Sequence, residues 1–317
     1  MKVAFAIICY MNFSGGNIMI QSHLGEIYSF ITAICWTVTA VSFELAGKKI
    51  GSLSVNYIRL IIGFILISLI TTFSRGMALP LDASSHEWIW LSISGFVGFV
   101  IGDLFLFQSF LEIGSRISML IMALVPPITA FLGFITINEV ITITDFLGMV
   151  ITIFGIFVVV LVRNPEGNNF KLSRSIKGIT YAFIGALGQS SGLVLSKIGM
   201  GSYNPFAATQ IRIIAGLIGF TVVFIFMKGW DKLKVDIKNK EALKPLFWGS
   251  LFGPVLGVTA SLLAVRYTTT GVSSTITSIS PVLIIPFSIY VFKEKVSPKE
   301  IFGAIISVIG VSVLFIL

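Results

Sequence analysis

Apolar residues run along this chain in long blocks, with polar residues gathered into short gaps between them. A block of about 17 to 25 apolar residues is long enough to cross a bilayer as a helix whose backbone groups satisfy one another. Ten such spans are predicted, at about Glu26–Ala46, Leu53–Phe73, Trp88–Leu111, Arg116–Ile137, Thr142–Val162, Ile176–Lys197, Pro205–Met227, Pro245–Val265, Gly271–Phe292 and Ser297–Leu317. Two gaps are polar enough to count as linkers: 163–175, with Asn164, Pro165, Gly167 and Asn168, and the lysine-rich 228–244. Upstream, Val3–Phe13 is apolar but too short to cross, and Ser14, Gly15, Gly16 and Asn17 follow it. We read residues 1–24 as an extension, with translation starting at Met19 as one reading and the core of a signal peptide after Lys2 as the other.

The blocks repeat. Sliding the second half over the first by 153 residues pairs Gly25 with Gly178, Tyr28 with Tyr181, Arg59 with Arg212 and Gly63 with Gly216. A shift of 155 then pairs Gly98 with Gly253, Gly102 with Gly257, Pro126 with Pro281, Glu139 with Glu294, Gly148 with Gly303 and Gly155 with Gly310. The expected organisation is a five-span unit over 25–162, a linker over 163–175 and a second five-span unit over 176–317. Five is odd, so the second unit enters the membrane from the opposite side. Secondary transporters use that inverted arrangement to build two alternately open states from one set of contacts.

Composition agrees with the pattern: 56% of the 317 residues are hydrophobic and 11% charged, with a mean hydropathy of +0.99. Soluble domains of this size carry about a quarter charged residues. A soluble enzyme, a nucleic-acid-binding domain and a disordered chain are therefore excluded, and the bilayer is the expected partner. The net charge of +8 is explained by where it lies. Sixteen Lys and Arg residues fall in the loops of one face, four on the other, and Arg59 and Arg212 lie within spans. The positive-inside rule puts the sixteen in the cytoplasm and both termini outside. Cys9 and Cys35 are far apart and without flanking His or Cys, and His23 and His86 fall in loops, so neither a metal nor a disulfide framework is expected.

Ionisable groups held in hydrocarbon ask for a reason. Arg59 lies about 9 Å and Asp103 about 13 Å from the lysine-rich face, at the rise of a helix. Two readings follow: an ion pair, or direct contact with substrate or proton, with Asp103 titrating as a coupling group. Arg212 has the place of Arg59 in the second unit, while Asp103 aligns there with Val258. Arg212 therefore lacks the matching acid, and is either a fork for a carboxylate or phosphate on the substrate or a snorkelling group at its membrane face. Gln108 and Gln189 are read as interhelical hydrogen-bond partners or cavity lining, and Trp36 as a cavity wall. Pro126, Pro127, Pro281 and Pro286 are expected to interrupt the fourth and ninth spans, and matched breaks in two repeats point to a transporter's binding site. Glu44, Glu112 and Lys197 sit at span ends, where snorkelling or interfacial pairing is expected.

Gly188-Gln189-Ser190-Ser191-Gly192 fits G-x-S-x-G, but it lies inside a predicted span with no strand before it and no histidine in any span. Close helix packing explains it better than a serine nucleophile. No Walker loop, H-E-x-x-H or G-x-G-x-x-G is present, so no catalytic residue, no cofactor and no nucleotide-driven chemistry is expected.

Tyr267-Thr268-Thr269-Thr270-Gly271, Ser280-Pro281, Lys293-Glu294-Lys295, Gly303 and Gly310 resemble the closing signature of an EamA-type unit of the drug/metabolite transporter superfamily. The first half carries Val125-Pro126, Asn138-Glu139, Gly148 and Gly155, with Arg59 where such units place an arginine. It departs from the pattern at 112–116, where Glu112, Ile113, Gly114, Ser115 and Arg116 replace a run of small residues. The resemblance implies an all-α, ten-helix exporter of small metabolites or drugs with a central cavity, and many relatives are described with cytoplasmic termini. The expectation is a secondary transporter exporting a small organic solute across the cytoplasmic membrane by alternating access. An importer or exchanger of an anionic metabolite and, more remotely, an intramembrane enzyme are the alternatives. The partners expected are lipid and a small-molecule substrate, with no nucleic acid and no oligomeric state implied.

Overall fold

Left-handed residues set several of the helix boundaries. A computed structural model describes residues 23–138, 140, 142–160, 175–294 and 296–316, and every regular element among them is helical. Helix α1 (Leu24–Ile50) ends at Gly51 and α2 (Ser52–Arg75) at Gly76, both with positive φ that a Cβ would penalise. Helix α3 (Ser85–Ile113) opens on a capping box of Ser84 and Glu87 and stops at Gly114, φ 81°. Helix α4 (Ser115–Ile137) closes on the left-handed Asn138. Then follow α5 (Ile143–Val160), α6 (Ile176–Met200) and α7 (Pro205–Met227), the last capped by Asn204 with Pro205 in its first turn. A short α8 (Trp230–Asp236) precedes α9 (Lys240–Tyr267), α10 (Thr270–Thr277), α11 (Ser280–Tyr290) and α12 (Pro298–Ile316).

Seven of these helices, α1 to α4, α6, α7 and α9, are long and apolar enough to cross a membrane. Shorter apolar stretches lie at Phe146–Gly155 in α5, Ser280–Tyr290 in α11 and Ile301–Gly310 in α12. Large apolar side chains such as Phe73, Phe226 and Tyr290 are exposed on the outside of the bundle, as a lipid solvent permits. The lysine-rich segment expected as a linker is folded. Trp230 of α8 stands edge-on to Tyr57 at 5.8 Å, and Asp236 accepts a hydrogen bond from Ser54 at 2.5 Å. Residues 1–22, including Val3–Phe13, Cys9 and Met19, the 163–174 stretch of the linker, Glu139 and Lys295 lie outside the described residues.

Helices α3 and α9 each contain a π-helical stretch, at Phe96–Gly102 and Leu251–Gly257, positions related by the 155-residue shift. The sequence reading missed these breaks. They lie where glycines bring backbones together. A methyl on Gly188 of α6 would lie 2.5 Å from Gly102 Cα, and one on Gly192 3.0 Å from Gly98 Cα. Across the molecule, a methyl on Gly257 would lie 3.2 Å from Cys35 Cβ, and one on Gly253 2.9 Å from Thr39 Cγ2. Residues 35 and 39 are the repeat mates of 188 and 192, so α1 against α9 reproduces α6 against α3. Gly188→Ala is expected to destabilise the fold by about 1–3 kcal/mol, because backbone faces backbone and nothing there can rotate away. A thermal unfolding midpoint equal to the parent's would contradict that packing.

Charged loops collect at two ends. At the lysine-rich end Lys49 pairs with Glu241, Arg116 with Glu294 at 2.9 Å and Lys177 with Glu112 at 3.1 Å. At the other end Asp82 accepts from Arg75 at 2.5 Å and from Tyr203 at 2.9 Å, while Lys197 donates to the Thr268 carbonyl at 3.2 Å. Burial and the hydrogen bond to Asp82 push the Tyr203 hydroxyl up to about 12, so it stays a donor across the physiological range.

Candidate functional site

A cavity of about 110 Å³ lies between the halves, walled by α1, α3, α4, α6, α7, α9, α10 and α11. Phe107, Phe110, Met119, Met122 and Trp36 give it an apolar wall; Thr32, Ser261, Ser273, Thr277 and Ser280 contribute hydroxyls; Asp103, Gln189 and Arg212 bring charge and amide.

Asp103 is the first residue after the π-helical stretch of α3. Its Oδ2 accepts from the Arg59 guanidinium and its Oδ1 from Gln189 Nε2 at 2.5 Å. Arg59 is 1% exposed and also donates from Nε to Asn56 Oδ1 at 3.2 Å, while Asn56 reaches the Asp103 carbonyl. The guanidinium lies over Phe107 at 4.7 Å and Phe99 at 5.4 Å, which compensates part of its lost hydration. Arg59 is thus tied into a paired network beside the cavity, and Asp103 and Gln189 carry that network to the cavity wall.

Arg212 differs. It is 3% exposed, lies over the Phe99 ring at 4.8 Å, and lines the cavity. Its buried Nε has no hydrogen-bond partner among the described residues. Asp103 is the acid whose field reaches it, but that carboxylate is already bonded by Arg59 and Gln189. The glycines of α3 admit it: a methyl on Gly95 would lie 2.4 Å from the Arg212 carbonyl oxygen, and one on Gly98 3.2 Å from its Nη2. A guanidinium with free donors at a cavity wall is chemically a receptor for a carboxylate or phosphate.

The remaining candidates divide. Trp36 and Pro281 line the cavity. Pro126 and Pro281 open the second half of a broken helix, after a 3₁₀ turn at Met122–Leu124 and after a break at 278–279 respectively. Pro127 sits beside Pro126 in that first turn, half-buried. Pro286 marks no break: α11 runs through it and the residue is exposed, an internal proline removing one intrahelical bond without having to end the helix. Gln108 is not in the cavity wall; it accepts from Ser52 Oγ at 2.6 Å and ties α3 to α2. In the G-x-S-x-G string, Ser190 donates to the Ala186 and Val125 carbonyls while Gly188 and Gly192 face α3. Glu44, read as a snorkelling or pairing group at a span end, is fully buried and paired: its Oε1 lies 2.5 Å from Lys48 Nζ, and its Oε2 accepts the Ser115 N–H at 2.7 Å at the start of α4. Among the described residues no group of three or more His, Cys, Asp or Glu is placed to hold a metal.

Two stretches of the chain, residues 23–161 and 176–316, match the EamA-like transporter family. The chain belongs to the EamA-like transporter family. The matched stretches start and stop at the offsets found by sliding the sequence on itself. An EamA-like transporter is a multi-pass membrane protein, and its apolar outer surface contacts the lipid bilayer. A solved structure described as "Crystal structure of protein" has the same fold, with a TM-score of 0.65 over 91% of this chain and 95% of that chain at 15% identity. "Protein LicB" of Haemophilus influenzae is 30% identical over 140 residues, 44% of this chain. This EamA-like chain spans about half the length of that relative, the match covering 46% of it.

Proposed function

We propose that this EamA-like chain is a secondary transporter that exports a small organic solute bearing an anionic group across the cytoplasmic membrane by alternating access. The observation that carries the reading is Arg212, a buried guanidinium at the cavity wall whose Nε has no partner among the described residues. Two buried arginines face one buried carboxylate, so the compartment holds an excess positive charge that a bound anion cancels.

In this reading α5, the broken pair α10 and α11, and α12 complete ten spans, divided into inverted units over 25–162 and 176–317 with 163–175 between them. The exchange-symmetric packing of α1 on α9 and α6 on α3 supports it, as do the π-helical stretches at matched positions. The gathering of lysines at one end supports a cytoplasmic lysine-rich face with both termini outside. Drug-sized pockets run to about 300–1,000 Å³; a 110 Å³ cavity favours a metabolite. The outward direction is what the family resemblance implies.

The test is flux in membrane vesicles of both orientations, with chemical analysis of the recovered solute. Gradient-driven accumulation of an acidic or zwitterionic metabolite in everted vesicles is the expected result. Accumulation only in right-side-out vesicles makes the protein an importer, and recovery of an altered solute makes it an enzyme.

A further inference from the structure

The Asp103 carboxylate of the first repeat lies between two donors, Arg59 of its own repeat and Gln189 of the second. The repeat offsets carry these three residues onto Arg212, Val258 and Trp36. All three of those mates line the one cavity. The symmetry-related site, Arg212 and Val258 of the second repeat with Trp36 of the first, has therefore kept its cation, exchanged the amide for an indole, and lost the acid. Val258 is 2% exposed and belongs to the same packed cluster as Phe99, the ring on which Arg212 rests at 4.8 Å.

We infer that the solute's own carboxylate docks over Val258 against Arg212, in the place that the Asp103 carboxylate has in the other repeat. The inference rests on the proposed transport of an acidic solute and narrows it to monoanionic headgroups. One carboxylate brings the buried charges of Arg59, Arg212 and Asp103 to neutrality, whereas a phosphomonoester dianion would leave the compartment negative. The Trp36 ring, standing where the Asp103 site has the Gln189 amide, receives the apolar body of the solute rather than a second oxygen.

A carboxylate built into the protein at this place should act as a permanent occupant. The experiment compares Val258→Asp with Val258→Asn, each with and without Arg212→Gln, by thermal unfolding of the purified full chain. Acetate, benzoate, leucine and inorganic phosphate are the probes. Val258→Asp is expected to melt no lower than Val258→Asn, and adding Arg212→Gln should lower the midpoint only in the aspartate background. The upward shift that a carboxylate gives the parent should be lost in Val258→Asp and only reduced in Val258→Asn.

An equal effect of Arg212→Gln in both backgrounds overturns the inference, as does an aspartate variant that fails to fold while the asparagine variant folds. So does a carboxylate shift that persists in Val258→Asp, or a parent that phosphate stabilises and carboxylates do not. Transport of solute that survives Arg212→Ala overturns the proposed function itself; loss of transport there, with a persistent shift in Val258→Asp, removes this subsite alone.

Discussion

Replacing Arg212 with alanine is expected to abolish transport of an acidic or zwitterionic solute while leaving folded protein in the membrane. The two outcomes separate because Arg212 has no protein acid to desert. Asp103 keeps Arg59 and Gln189 when Arg212 is gone, so no buried carboxylate is left unpaired. A charge-assisted hydrogen bond contributes about 1.5–3 kcal/mol, and two of them from one guanidinium amount to more than about a hundredfold in affinity at 1.4 kcal/mol per tenfold. Arg212→Lys should restore only part of the flux, since an ammonium supplies a point charge but not the planar fork. Solute flux alongside size-exclusion behaviour in detergent measures both halves of the claim. Unimpaired flux in Arg212→Ala refutes the role.

Asp103→Ala should instead damage the protein. It strips Arg59 of its carboxylate, reduces Gln189 Nε2 to its longer bond to the Gly98 carbonyl, and leaves a guanidinium 1% exposed among Phe43, Phe99 and Phe107. Removing one member of a buried ion pair costs about 3–5 kcal/mol, because the survivor stays desolvated. Arg59→Ala is expected to cost less, since Asp103 retains the Gln189 bond and the field of Arg212. Thermal unfolding in detergent ranks the three proteins; Asp103→Ala melting with the parent, or above Arg59→Ala, contradicts the network described here.

Several of these features can be read directly from residue order. Apolar run length marks the long helices, glycine and arginine recurrence marks the duplication, and Arg59, Asp103 and Arg212 stand out because charge in hydrocarbon is rare. What residue order hides is facing. In a helix that is apolar all round no polar stripe tells which side meets lipid, so Gln108 and Gln189 look alike although one ties α3 to α2 and the other bonds Asp103. The π-helical stretches leave an uneven signal, Pro254 in the second and no proline in the first; Gly98, Gly102, Gly253 and Gly257 register as repeat markers before they register as places of close helix packing. Proline is ambiguous for a physical reason, since Pro281 follows a break and Pro286 does not, and only the neighbours that satisfy the freed carbonyl decide. Half of the Glu44 pairing is legible, since Lys48 stands four residues on in the same helix, but its second partner is a backbone N–H at Ser115, 71 residues away.

Alternating access requires the cavity between the repeats to communicate with each side of the membrane in turn. With Cys9 and Cys35 replaced by serine, Ser261→Cys puts a single thiol on the cavity wall, and membrane-impermeant thiol reagents applied from each side in separate reactions read its accessibility. Modification from both sides, slowed from both by a transported acid, is the predicted result. A thiol that reacts from one side only under every condition, or from neither, contradicts alternating access through this cavity.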